Sequence, residues 1–245
     1  MSVGISALQG LRVLVTRPVE QANSWLEALA ECGAIPVLYP TIAVHAPPSW
    51  VELDAALASI DRYEWILFSS ASTVRHTLSR LPTASIVCEK GRQIGAVGEE
   101  SARCLRQAGV RVDMVPRDAR GKGLAAALRH LAVGTRILFP QAIGGNADLE
   151  QALRAQGCLV DVVAASQTLP IESLGDPPPF DVATFASPSA LRAFLGRNRV
   201  ASLQAKHLVV IGPTTASLAR KAGLHPFVAQ TPSAKGLLLA IAQSL

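Results

Sequence analysis

The chain is written twice. Leu11–Thr41 recurs, loosely, as Thr135–Ser166, Trp65–Leu78 as Val182–Leu195, and Ile94–Leu128 as Leu208–Ile241. Each passage has its partner roughly 115–125 residues downstream, a period far longer than that of short-repeat solenoids. In the third pair Gly98 lies over Gly212, Ser101 over Thr215 and Gly109 over Gly223, and both copies then reach a Lys-Gly-Leu, at 122–124 and 235–237. In the middle pair Phe68, Ser70 and Ser72 lie over Phe185, Ser187 and Ser189. A doubling on this scale points to two like domains, and small-molecule sites tend to lie in clefts between domains.

The length fits that division, since 245 residues make two domains of about 120 each. With 49% apolar and 17% charged residues, each half has material for a core. Aromatics are only 4%, which favours helix-rich α/β packing over an aromatic-laden sandwich. The net charge of +5 calls for an anionic partner. The 23 basic residues are scattered and no aromatics interleave with a basic run, so a polyanionic small molecule is expected and nucleic acid is not. Cys32, Cys88, Cys104 and Cys158 lie far apart with no CxxC spacing and read as free thiols in a reducing compartment. The opening MSVGISALQG lacks a charged start followed by an apolar stretch, so no signal peptide is expected. No segment approaches the ~20 uninterrupted apolar residues that span a bilayer. A cytoplasmic monomer without membrane contact is the expectation.

Arg12–Thr16 is a short apolar run closed by Arg17-Pro18, and Trp25, Leu26, Leu29 and Ala30 then recur at helical spacing until Cys32-Gly33. Ile35–Tyr39 follows as a strand, giving a βαβ unit with a right-handed crossover and a parallel sheet. Ser49-x-x-Glu52 reads as a capping box opening a helix to about Ile60. Strands are expected at Trp65–Phe68, Gln93–Val97 and Val112–Val115, with helices at Val74–Leu81, Glu99–Gln107 and Leu124–His130. The second copy repeats this order from Arg136, with breaks at Gly144-Gly145 and Asp176–Pro179. Strands and helices alternate throughout, so the class is α/β with parallel sheets.

Ligands of open α/β sheets bind beyond the carboxyl ends of the strands. The turns there are Thr16-Arg17-Pro18, Ser69–Thr73, Gly98–Ser101, Gln141–Asn146, Ser187–Ser189 and Gly212–Thr215. Five of the six place small residues, hydroxyls or glycine beside a helix amino terminus, which offers unpaired N–H groups and a positive dipole end. The plainer reading makes the hydroxyls N-caps and the glycines tight turns. Gly212, Thr214 and Thr215 come without an acid, whereas the sister turn carries Glu99 and Glu100, which would repel an anion. Charge alone therefore favours the second copy as the main anion receptor. There is no GxGxxG, GxxxxGK[ST] or GxSxG, and His45, His76, His130, His207 and His225 lack metal-ligand spacing. An enzyme built this way works by binding and orienting its substrate.

The motifs VLVTRP (13–18), ILFSSASTV (66–74), AVGEESA (96–102), ATFASPSALRAF (183–194) and VIGPTTASLARKAG (210–223) make the chain resemble the uroporphyrinogen-III synthases. The resemblance runs over nearly the whole chain and rests on the order and spacing of these motifs together. It implies two flavodoxin-like α/β domains joined by a two-stranded connector, with the substrate in the cleft between them. The first domain would be discontinuous, 1–40 with 170–245, around a middle domain of 41–169; counting the repeat alone would cut the chain near residue 133. The implied substrate is hydroxymethylbilane, a linear tetrapyrrole with eight carboxylates, closed with ring D inverted by way of an azafulvenium-type cation and a spiro intermediate. No cofactor and no metal are implied. Substrate contacts carried onto this chain are Arg17, Ser70, Ser72, Ser101, Gly144, Gly145, Asn146, Ser187, Ser189, Gly212, Thr214 and Thr215. The family's tyrosine before the connector is Ser166 here, and the basic residues of its RG-x-GG-R turn are Gln141 and Asn146. These departures keep a second reading open, a non-catalytic homologue that binds a tetrapyrrole or other polyanion as a sensor. A third is a module binding a phosphorylated sugar or nucleotide at the IGPTT turn.

Overall fold

The computed structural model describes residues 8–196, 200–204 and 206–245. In chain order it contains β1 (Arg12–Val15), α1 (Asn23–Glu31), β2 (Ile35–Leu38), β3 (Ile42–His45), α2 (Val51–Ala58), β4 (Trp65–Phe68), α3 (Ala71–Leu78), β5 (Gln93–Ala96), α4 (Glu99–Gln107) and α5 (Gly121–Ala127). The second half adds β6 (Arg136–Ala142), α6 (Asp148–Ala155), β7 (Leu159–Pro170), β8 (Val182–Phe185), α7 (Pro188–Leu195), α8 (Val200–Gln204), β9 (His207–Val210), α9 (Pro213–Lys221), β10 (Phe227–Val228) and α10 (Ala234–Ser244). The chain divides into two compact units, Met1–Ala43 with Thr168–Leu245, and Val44–Gln167. The division falls inside β3 and inside β7.

The repeat explains both sheets. In the first unit the strand order is β10-β9-β8-β1-β2, and the pairs β1–β2, β1–β8, β8–β9 and β9–β10 are parallel. In the second the order is β3-β7-β6-β4-β5, with β7–β6, β6–β4 and β4–β5 parallel and Met114 bridging Gly95 in parallel beside β5. Pairing each strand with its repeat, β1 with β6, β2 with β7, β8 with β4, β9 with β5 and β10 with Met114, turns one order into the other. The copies are nevertheless shared out. The first unit takes β1-α1-β2 from the first copy and everything from β8 onward from the second; the second unit takes the reverse.

Each sheet is buried on both faces, which is why its strands read as unbroken apolar runs rather than alternating ones. In the first unit Leu14, Ala183, Phe185, Leu208 and Val210 pack with α7 and α9, while Val13, Val15, Val182 and Val209 pack with α1 and α10. In the second, Ile66, Phe68, Ile94, Ala96 and Leu138 pack with α2, α3 and α4, and Trp65, Leu67, Ile137, Phe139 and Val160 pack with α5 and α6. Each such Val, Leu, Ile or Phe side chain contributes about 1.5–3 kcal/mol by leaving water.

The paired Lys-Gly-Leu has a steric cause. Gly123 and Gly236 are each the third residue of their helix, and a Cβ would stand 2.1 Å from the Asp118 carbonyl oxygen in one case and 2.2 Å from that of Thr231 in the other. Those carbonyls already accept from Arg120 N–H at 2.7 Å and from Ser233 N–H at 2.9 Å, so the same tight loop precedes both helices. Leu124 and Leu237 then turn into the cores. Gly109 and Gly223 end α4 and α9 at φ +76° and +75°, a conformation that side chains resist.

Local expectations fail where tertiary context decides. The capping box does not form: α2 starts at Val51, Trp50 holds the cap position, and Ser49 Oγ accepts from Val51 N–H at 3.2 Å. Val112–Val115 reduces to the single Met114 bridge, because its chain lies at the sheet edge. β3, α8 and the 3₁₀ segment Ala84–Gly91 lie outside the expected elements, and β7 runs on to Pro170. In β3, as in the outer part of β7, the side chains are mostly half-buried or exposed.

Candidate functional site

In the first unit the strand order reverses between β1 and β8, the position at which such sheets bind ligands. Buried threonines tie the two strand ends together. Thr16 Oγ1 donates to the Thr184 carbonyl and Thr184 Oγ1 to that of Leu14, both at 2.7 Å, and Thr41 Oγ1 donates to Ala190 O at 3.0 Å. Arg17 lies in the β1 turn, its guanidinium 4.6 Å from the Trp25 ring centroid and 3.4 Å from Gln21 Oε1. Ser187 caps α7 by accepting from Ala190 N–H at 3.1 Å, and its hydroxyl meets that of Ser189 at 2.9 Å. A cavity of about 390 Å³ beside α7 is lined by Ser189, Arg192, Thr168 and Glu172 among others. At α9 the cap residue is Gly212, extended at φ −175°, which supplies no side-chain cap. Pro213 brings no N–H, so Thr214 and Thr215 hold the first donors of that helix.

The second unit reverses between β4 and β6. There a cavity of about 230 Å³ is lined by Ser69, Ser70, Val97, Gly121, Phe139, Gln141, Ala142, Gly145, Asn146, Asp148 and Leu149. Ser70 caps α3, accepting from Thr73 N–H at 3.2 Å, as its repeat partner Ser187 does in α7. The loop after β6 is held from within. Gln141 Nε2 donates to Asn146 O at 2.7 Å, and a Cβ on Gly145 would lie 2.8 Å from the Gln141 side chain. Asn146 Oδ1 accepts from Asp148 N–H at 2.7 Å. A register irregularity between Gln141 and Ala142 sets Ala142 opposite Ser166, and Ile143 N–H donates to Ser166 O at 2.8 Å. Gly144 turns the exposed tip at φ +69°.

The residues carried over from the resemblance thus split between the units, with Arg17, Ser187, Ser189, Gly212, Thr214 and Thr215 in one and Ser70, Ser72, Ser101, Gly144, Gly145 and Asn146 in the other. The family model for uroporphyrinogen-III synthase HemD matches residues 23–238. The chain belongs to the uroporphyrinogen-III synthase family. It is 28% identical over 257 residues to the uroporphyrinogen-III synthase of Synechococcus elongatus, covering 96% of each chain. It is also 28% identical to the porphyrin biosynthesis protein HemD of Ruminiclostridium josui, over 91% of this chain and 46% of that one. The structure of uroporphyrinogen-III synthetase from Helicobacter pylori superposes with a TM-score of 0.65 at 16% identity, over 96% of this chain and 100% of that chain, and shows the shared α/β fold.

Membership in this family of porphyrin-biosynthesis enzymes agrees with the chemistry at the strand ends, which offer hydroxyls and helix termini. Three of the expected contacts, Ser72, Ser101 and Thr215, are buried at 5%, 4% and 2% exposure, on helix sides turned to the core. Ser166 is 1% exposed. Gln141 serves the loop rather than presenting a charge. Asp148 and Gly121 are cavity residues that motif reading missed; a helix acid two residues past GGN carries no signal until folding brings it beside Ser70. The perturbed acids lie elsewhere. Arg12 holds Asp181 below the usual carboxylate range by hydrogen bonds at the amino ends of β1 and β8, and burial raises Tyr63 just before β4.

Proposed function

We propose that this chain cyclises hydroxymethylbilane to uroporphyrinogen III, inverting ring D, as a cytoplasmic monomer that needs no cofactor and no nucleic-acid partner. The observation that carries the reading is the distribution of charge at helix starts. In the first unit α1, α7, α9 and α10 have no acid in their first turns, and α9 adds uncapped donors beside the exposed Thr214. Such termini each favour an anion by about 0.3–1 kcal/mol, which suits a substrate bearing eight carboxylates. Arg17, Ser187, Ser189, Gly212 and Thr214 are the contacts proposed there; Ser70, Gly144, Gly145 and Asn146 are those proposed in the second unit. The substrate closes on its own to the unwanted isomer, so catalysis consists of holding one conformer and stabilising developing charge with fixed dipoles.

A coupled assay tests this directly: hydroxymethylbilane is supplied and the isomers are separated. Isomer III formed faster than spontaneous closure is the expected result. Isomer I alone, at the spontaneous rate, overturns the reading. In that case the buried Ser166 and the loop-bound Gln141 favour the non-catalytic binding protein, which tetrapyrrole binding without turnover would then reveal.

A further inference from the structure

The cavity at the β4 and β6 ends has one ionisable side chain in its lining, Asp148. Two hydrogen bonds fix it: its N–H donates to Asn146 Oδ1 at 2.7 Å, and Asn146 Nδ2 donates to its Oδ2 at 3.3 Å. Gln141 anchors Asn146 from the other side at 2.7 Å. Among the described residues no lysine, arginine or histidine forms an ion pair with Asp148. An acid in a first helical turn ordinarily offsets the positive helix end. In α6 Glu150 stands in that turn too, and it is paired with Arg154 at 2.8 Å. Asp148 is therefore a second, half-buried negative charge beside the apolar wall of Phe139 and Leu149, without a counter-ion. Its carboxylate is the one formal charge in that lining, and a negative charge set beside an apolar wall favours a group carrying positive charge.

We propose that Asp148 is a catalytic residue that stabilises the cation generated from the hydroxymethyl end of the substrate, a role that rests on the cyclase reading above. The C–O bond breaks with both electrons leaving on oxygen as hydroxide, and the positive charge remains on the methylene carbon, shared with its pyrrole nitrogen. A pyrrole carbon supplies the electron pair of the new C–C bond. After rearrangement a proton leaves the pyrrole carbon at which the ring finally closes, and with the hydroxide it makes one water overall. No oxidant or reductant enters, and Asp148 forms no bond. Its charge acts on a species present only during turnover, so it raises kcat rather than affinity.

The test is steady-state kinetics with hydroxymethylbilane for the wild type, Asp148→Asn and Asp148→Glu, with melting temperatures and isomer ratios measured in parallel. Asp148→Asn is expected to lower kcat roughly 100–1,000-fold with KM unchanged, and to lower the isomer III fraction as spontaneous closure overtakes the slowed enzyme. Asp148→Glu is expected to restore part of kcat. Melting should move by no more than the few degrees that one first-turn charge brings. An unchanged kcat overturns the proposal, as does a lower KM at constant kcat, which would show that Asp148 only repels carboxylates. A fall in kcat that tracks melting and is not relieved by glutamate overturns it as well. A wild type that yields isomer I alone overturns the cyclase reading too, whereas an active wild type with an unaffected Asp148→Asn overturns this proposal alone.

Discussion

Gly236→Ala sets helix propensity against packing, and the two predict opposite signs. In an exposed helix interior the change stabilises by about 0.8–1 kcal/mol. Here the added Cβ would stand 2.2 Å from Thr231 O and 2.4 Å from Thr231 Oγ1, so backbone must move by roughly an ångström to restore van der Waals contact. Overpacking of this kind costs about 1–3 kcal/mol. Moving the first turn of α10 also strains the cap in which Ser233 Oγ accepts from Gly236 N–H at 3.1 Å, which is worth about 1 kcal/mol. The gain in propensity offsets about one cap, leaving a net loss of roughly 1–3 kcal/mol. At ~2–4 °C per kcal/mol for domains of 150–250 residues, melting should fall by about 2–12 °C. Gly123→Ala should behave alike in the other unit, where the carbonyl is 2.1 Å away. Gly175→Ala, with open space around its Cβ, should stay within about ±0.5 kcal/mol and serves as the control. Calorimetry of the three variants decides the matter, and a rise in the melting temperature for Gly236→Ala would refute the steric account of the repeated Lys-Gly-Leu.

Ser70→Ala and Ser187→Ala should each cost about 1 kcal/mol and lower melting by about 2–4 °C, since they cap equivalent helices in the same way; unequal losses in thermal scans would break the equivalence. Gln141→Ala frees the Asn146 carbonyl, so it should cost about 1 kcal/mol and raise KM for hydroxymethylbilane, read by initial rates across substrate concentrations. Asp181 is held below its ordinary pKa by Arg12, so the stability it adds is complete above the unfolded value of about 3.9 and is lost as pH falls through its lower folded value. Asp181→Asn should therefore be destabilising at neutral pH, with the gap to wild type closing in acid; urea midpoints measured across that range check the sign.

Much of this protein is determined by the sequence itself. Unbroken apolar runs such as Leu67-Phe68 and Val209-Val210 can be buried only between two helical layers, and helix endings at Gly109 and Gly223 follow from backbone sterics. The duplication is likewise legible, because Phe68 and Phe185, or Ser70 and Ser187, fill identical positions. The lack of a nucleophile–base pair or metal set in the candidate turns is a matter of composition and spacing. The repeat by itself, which would cut the chain near residue 133, does not decide how the copies are shared; the fold does. The β1-α1-β2 segment finds its sheet neighbour in β8 rather than in β4, and nothing local distinguishes those partners, since their repeats are equivalent by construction. It also decided which hydroxyls are exposed. Thr214 and Thr215 are adjacent and chemically alike, but the helix turns one toward solvent and the other into the core. The same holds for Asp148, an ordinary first-turn acid in sequence. It gains a cavity and a hydrogen-bonded frame only because parallel pairing of β4 with β6 brings the turns after Phe68 and Ala142 together.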